Sequence, residues 1–132
     1  MLETITPPID VPRAQLDPIL TQSEKLSVFS LALMRPLRDE TIILCCDELQ
    51  RGVGIFAFDS KLQLTAIIDR VIGSAINIES VVTICLCTCR SGLGQQLMDE
   101  VQFKLAKTCC QDAGIALVDW FIVAKGDVYC LN

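Results

Sequence analysis

The chain has no histidine among its 132 residues. That removes the commonest general base, the commonest neutral metal ligand and the base of any cysteine–histidine nucleophile pair. Aromatic residues make up only 5%. Eleven basic residues stand against sixteen acidic ones, for a net charge of -5. With no cluster of Lys or Arg to neutralise phosphates, autonomous binding of nucleic acid is not expected. The opening segment, MLETITPPIDVP, lacks the basic start and apolar run of a signal peptide. No apolar stretch reaches membrane-spanning length free of charges or helix breakers. A soluble cytoplasmic protein with no membrane contact is the expectation. There is no internal repeat and no shift in composition, which leaves one domain as the default.

What the chain does have is 52% hydrophobic residues and eight cysteines. The cysteines sit inside apolar runs, LCC at 44–46 and ICLC at 84–87, rather than in loops. They read as reduced, buried thiols acting as small hydrophobes rather than as a secreted disulfide framework. Four of the five prolines, at positions 7, 8, 12 and 18, mark residues 1–18 as an extended arm, and the domain proper as 19–132.

Periodicity sets out the elements. Asp17-Pro18 reads as an N-cap with proline at the first helical position, and Ile19, Leu20, Leu26, Phe29, Ser30 and Leu33 keep a helical stripe as far as Pro36. TIILCC (41–46) and VGIFAF (53–58) are β-rich runs, with Gly52 as the expected turn glycine. Ile67, Ile68, Val71, Ile72, Ala75 and Ile76 form a helical stripe, with Asp69, Arg70 and Ser74 on the wet face. SVVTICLC (80–87) has the near-continuous apolarity of a central strand covered on both faces. From Gly94 a second stripe, Leu97, Met98, Val101, Leu105 and Cys109, predicts a core-facing helix that ends near Gly114 as a C′ glycine. IALVDWFIVA (115–124) and DVYCL (127–131), joined by Lys125-Gly126, predict a closing hairpin. The order helix, strand, strand, helix, strand, helix, strand, strand implies an α/β domain, a mixed sheet covered by helices.

Over roughly residues 25–131 the chain resembles the RadC-like branch of the JAB/MPN family. The segments carrying the resemblance are LQLTAIIDRVIGSAINIESVVTICLCTCRSG and QDAGIALVDWFIVAKGDVYCL. The closing part matches the family's pattern at Gly114, Ile115, Leu117, Asp119, Ile122, Val123, Gly126 and Tyr129. The resemblance implies a three-layer, cytidine-deaminase-like α/β fold. Active members of the family are zinc hydrolases that hold the metal with two histidines and an aspartate and use a glutamate from an earlier strand as base. In that register Cys87 and Cys89 stand in the histidine positions and Arg90 replaces a proline. Ser91 and Gly92 match, Leu97 takes the serine position, and Glu100 takes the aspartate position with Asp99 beside it. No glutamate occurs in VGIFAF for the base, and Glu48 lies in the preceding turn.

The resemblance therefore implies a catalytically inactive relative of zinc metallopeptidases, with no catalytic residue and no cofactor, working through a protein partner or as a homo-oligomer. One alternative is a zinc site of Cys87, Cys89 and Glu100 (or Asp99), of structural or hydrolytic kind. Thiolates make the metal a weaker Lewis acid than imidazoles would, which favours the structural kind. A second alternative is thiol chemistry at Cys89, where a helix N-terminus and Arg90 would lower its pKa. A zinc deaminase is excluded, because neither an H-x-E nor a P-C-x-x-C segment is present. Arg90 reads as a solvated charge or an anion contact, Asp119 as a strand residue beside the anchor Trp120, and Tyr129 as structural.

Overall fold

The computed structural model describes residues 17–32, 39–59, 62–74, 80–91, 96–124 and 127–132. Most of the proline-rich arm lies outside these, as do Leu33, Pro36, Ala75, Ile76, Gly92, Gly94 and the Lys125-Gly126 turn. The eight elements are α1 (Gln22–Ala32), β1 (Glu40–Cys46), β2 (Gly52–Asp59), α2 (Leu64–Ser74), β3 (Thr83–Cys89), α3 (Asp99–Asp112), β4 (Ala116–Ala124) and β5 (Asp127–Leu131). Their order is the one the periodicity implies.

The strands form one five-stranded mixed sheet in the order β2-β1-β3-β4-β5. β3 is the middle strand and is buried at every position, which explains its unbroken apolarity. It pairs antiparallel with β1 and parallel with β4, with a register shift between Ile84 and Cys85. The outer pairs, β1 with β2 and β4 with β5, are antiparallel. A parallel pair needs a crossover, and α3 supplies it between β3 and β4.

Because side chains alternate across a strand, the sheet has two differently covered faces. On one, Ile67, Ile68 and Val71 of α2 and Phe103, Ala106 and Cys110 of α3 join a single cluster with Ile43, Ile84, Leu86 and Trp120. On the other, α1 lays Phe29 over Ile42, Leu44, Cys85, Cys87 and Phe121. Phe29 meets Phe121 edge to face, with ring centroids 6.1 Å apart. The fold is thus α/β, with helices on both faces of a mixed sheet.

Three expectations need correction. Pro18 is not helical: it bridges antiparallel to Arg51, and α1 begins at Gln22 behind a capping box. The Thr21 hydroxyl accepts the Glu24 N–H at 3.1 Å, and the Glu24 carboxylate accepts the Thr21 N–H at 3.0 Å. This reciprocal pair outcompetes the Asp-Pro start, because it satisfies donors at both ends of the first turn. Gly52 is not the turn residue either. Gln50 takes the positive φ of 63°, and Gly52 opens β2 where a Cβ would come within 3.3 Å of Ile19 Cδ1.

The third correction concerns α3. It buries Asp99, Phe103, Ala106 and Cys110, while Leu97, Met98, Val101 and Leu105 are exposed. The apolar stripe taken for the core face lies on the outside. Gly114 does act as the C′ residue, with φ of 78°. The Ile115 N–H reaches the Cys110 carbonyl at 2.8 Å and the Gly114 N–H reaches that of Gln111 at 2.9 Å, the two bonds of a Schellman ending.

Candidate functional site

The end of β3 that leads into α3 is where the resemblance would put a metal. Residues at i and i+2 share a sheet face, so Cys85, Cys87 and Cys89 all point to the α1 side. Both Cys87 and Cys89 are fully buried. The Cys87 thiol hydrogen-bonds to that of Cys89, an arrangement that with burial pushes Cys87 upward. Accepting that bond lowers the Cys89 thiol below its ordinary value, against burial and the charges of Glu40 and Asp39. Cys89 is therefore the more acidic thiol of the pair, but no part of it faces solvent.

The two acidic candidates belong to the other side of the sheet, where α3 packs. Asp99 is buried and fully engaged. Arg90 donates to it twice, through Nη1 and Nη2, each at 2.8 Å, and the Gln96 N–H donates at 2.6 Å. Such a bidentate, charge-assisted clamp is the strong form of the interaction. Arg90 also lies 5.7 Å from the Trp120 ring, a cation–π distance. It is a structural tie between the β3 exit and the first turn of α3, not a solvated charge. Glu100, one residue on, is exposed. Ser91 is held by Asp39, which accepts its N–H at 2.7 Å and its hydroxyl at 3.2 Å. Leu97, in the serine position, is 99% exposed.

A zinc ion needs its ligands converging on one point at about 2.0–2.3 Å. Cys87 and Cys89 under one face and Asp99 and Glu100 on the other do not converge, and the residues of the resemblance do not fit the metal as a set. Among the described residues, no three Cys, Asp or Glu side chains are grouped so that they could hold an ion.

Two features escaped the sequence. Glu40, the first residue of β1, stands directly across from Cys89, and its Oε1 is buried with no hydrogen-bond partner among the described residues. Only the β1–β3 register brings it there, and no local motif signals that register. Farther along the same face, Lys25 of α1 forms an ion pair with Asp119 of β4. Burial is the largest single influence on Lys25 and works to lower its pKa, but the hydrogen bond to Asp119 and the charges of Cys85, Asp119 and Cys46 together outweigh it, and the net direction is upward. The exposed Cys130 thiol points at the same carboxylate, 3.9 Å away, and accepts a contact from Gln22 Nε2 at 3.6 Å. Asp119 is thus a buried charge with a partner, where the sequence suggested a bare strand position.

No protein-family model and no curated protein matches the chain. Chemistry must therefore be read from the residues. The eight cysteines are all free, and burial pushes Cys45 and Cys85 up to about 12 and Cys110 to about 11. Thiols held protonated in this way are poor nucleophiles at neutral pH. A cavity of about 360 Å³ lined by Lys107, Gln111, Ile115 and Leu117 lies at the other end of α3, away from the Cys87–Cys89 pair. No described helix is long and apolar enough to cross a membrane. The most exposed apolar groups of the α3 region, Leu97, Met98, Val101 and Leu105, lie immediately beyond the Arg90–Asp99 tie.

Proposed function

We propose that this chain is a RadC-like JAB/MPN domain that has lost zinc-hydrolase chemistry and works in the cytoplasm by binding protein. The observation that carries this reading is the fate of the acidic residues at the start of α3. Asp99 is clamped by the two terminal guanidinium nitrogens of Arg90, and Glu100 is exposed on the outer side, while the two thiols lie buried beneath the opposite face. What supports the family assignment is the resemblance along the sequence together with a mixed sheet whose β3-α3-β4 crossover falls where the matching segments lie. With buried thiols in place of imidazoles, nothing at this edge would activate a water or polarise a carbonyl. A reducing compartment suits eight free cysteines.

The test is elemental analysis of protein purified under reducing conditions without a metal-binding tag, run beside a peptide and isopeptide cleavage assay with and without chelator. No stoichiometric metal and no chelator-sensitive cleavage is expected. About one zinc per chain, lost on Cys87→Ser or Glu100→Gln, would overturn the reading.

A further inference from the structure

The outer surface of α3 is the least expected part of the molecule. Leu97 and Met98, in the turn before the helix, are 99% and 57% exposed, and they lead into Val101 and Leu105 on the helix itself, 47% and 54% exposed. Residues four apart form a continuous ridge on a helix, so Leu97, Val101 and Leu105 make one apolar rib facing water. The helix does not need this rib for its own packing, because Phe103, Ala106 and Cys110 already bury the inner side. Scattered single apolar residues on a surface need no explanation, but a contiguous rib marks a contact surface.

The neighbouring ridge, also stepped by four, carries Glu100 and Lys104, both exposed. Among the described residues neither has an ion-pair partner. The two charges are opposite in sign and stand the same number of residues to either side of Gln102. An antiparallel copy of the same helix, related by a two-fold axis passing near Gln102, would therefore set Glu100 beside Lys104 of the second copy, and Lys104 beside its Glu100. The same axis sets Val101 level with the gap between Val101 and Leu105 of the second copy, and Leu105 level with the gap between its Leu97 and Val101, so that the two ribs interleave. A parallel arrangement would instead set Glu100 level with Glu100 and Lys104 level with Lys104, with no opposite charges at the same height. Isologous two-fold contact is the commonest form of self-association, and the charge order on α3 matches it in both sign and spacing.

From this complementarity we infer that the α3 rib is a homodimer interface, its occupant a second copy of this chain docked antiparallel. The inference deepens the protein-binding reading by naming the partner, and it rests on that reading. Its failure would show as an absence of association, whereas failure of the reading would show as bound zinc or cleavage, and neither result produces the other.

The experiment is sedimentation velocity on the full chain from about 1 to about 100 µM, the range in which a contact of modest area is half-formed. A reversible monomer–dimer equilibrium is expected. Val101→Glu and Leu105→Glu should each leave a monomer across the range, with an unchanged circular dichroism spectrum because neither site is buried, and with a melting temperature that matches the unaltered chain at the low end of the range, where that chain is monomeric. Glu100→Lys or Lys104→Glu alone places like charges together twice in the dimer and should raise its dissociation constant by about 3–10-fold. The double exchange E100K/K104E restores opposite charges and should return the constant to near its original value. A monomer at every concentration overturns the inference. So does a dimer that survives Val101→Glu, or one that the charge exchanges leave unmoved.

Discussion

The two faces of the sheet are stabilised by different means. The face under α2 and α3 is filled by bulk, with Trp120, Phe103, Ile67, Ile68 and Leu86 in one cluster. Its deepest polar group is satisfied internally: Trp120 Nε1 donates to Thr88 Oγ1 at 2.8 Å, and that hydroxyl meets Thr41 Oγ1 at 2.9 Å. The face under α1 has one covering helix and smaller residues, among them Cys46, Cys85 and Cys87. It also holds the Lys25–Asp119 ion pair and the buried Oε1 of Glu40, which has no hydrogen-bond partner among the described residues. Volume secures the first face and pairing secures the second. Small side chains and charges are what a site requires, yet here the charges answer one another across α1 and β4 rather than facing a cleft.

The largest effect expected bears on both faces at once. Cys45 and Cys110 under α2 and α3, and Cys85 under α1, all have pKa values raised from 9.0 to between about 11 and about 12 by burial. The unfolded chain sheds these protons first. The stability linked to them is fully present below pH 9 and is lost as the pH climbs through the folded values. Melting temperature should therefore be insensitive to these thiols up to about pH 9 and fall steeply between about 9 and 12. A flat profile over that interval would break the claim that the thiols are buried and protonated.

Trp120→Ala should cost about 3–5 kcal/mol in denaturant unfolding, as large cavities in close-packed interiors do. A loss under 1 kcal/mol would mean that the α2/α3 face can collapse around the gap. On the α1 face, Lys25→Met leaves Asp119 buried and alone, and should cost about 2–4 kcal/mol. The double change Lys25→Met with Asp119→Leu should recover most of that loss, because two apolar groups replace a pair whose desolvation was expensive. If the double variant is no better than the single one, pairing is not what holds this face. The smallest effect is local to the start of α1. Thr21→Ala removes half of the capping box and should lower stability by about 1 kcal/mol, a shift readable by thermal melting.

How far the sequence disclosed this molecule depends on whether its signals were local. α2 was legible because Ile67, Ile68 and Val71 recur at helical spacing and are all buried. β3 was legible because a strand covered on both faces has no polar alternation to hide it, and Gly114 because a Schellman ending needs its positive φ. α3 misled because its outer rib carries four large apolar residues, Leu97, Met98, Val101 and Leu105, while its inner face has one, Phe103, beside the small Ala106 and Cys110 and the polar Asp99. A periodicity argument assigns the greasier stripe to the core, and tertiary packing overruled it. At the candidate site the alternating cysteines correctly signalled a strand face. The partners that matter, Glu40 for Cys89, Lys25 for Asp119 and Arg90 for Asp99, are set by register and by helix placement. Of the three, only Arg90 and Asp99 are near in sequence, and nothing in their spacing distinguished a clamp from two solvated charges.

The middle position of β3 also bears on how the chain reaches this structure. β1 with β2 and β4 with β5 are hairpins whose partners are close along the chain, and such contacts form early at little entropic cost. β3 has no such neighbour: Glu40 must find Cys89, and Thr83 must find Ala116. Neither hairpin can join the other until this strand lies between them, so the slow step of folding is the docking of two ready-made ribbons onto one apolar strand. Until that happens an apolar strand of the chain is still waiting for partners on both edges.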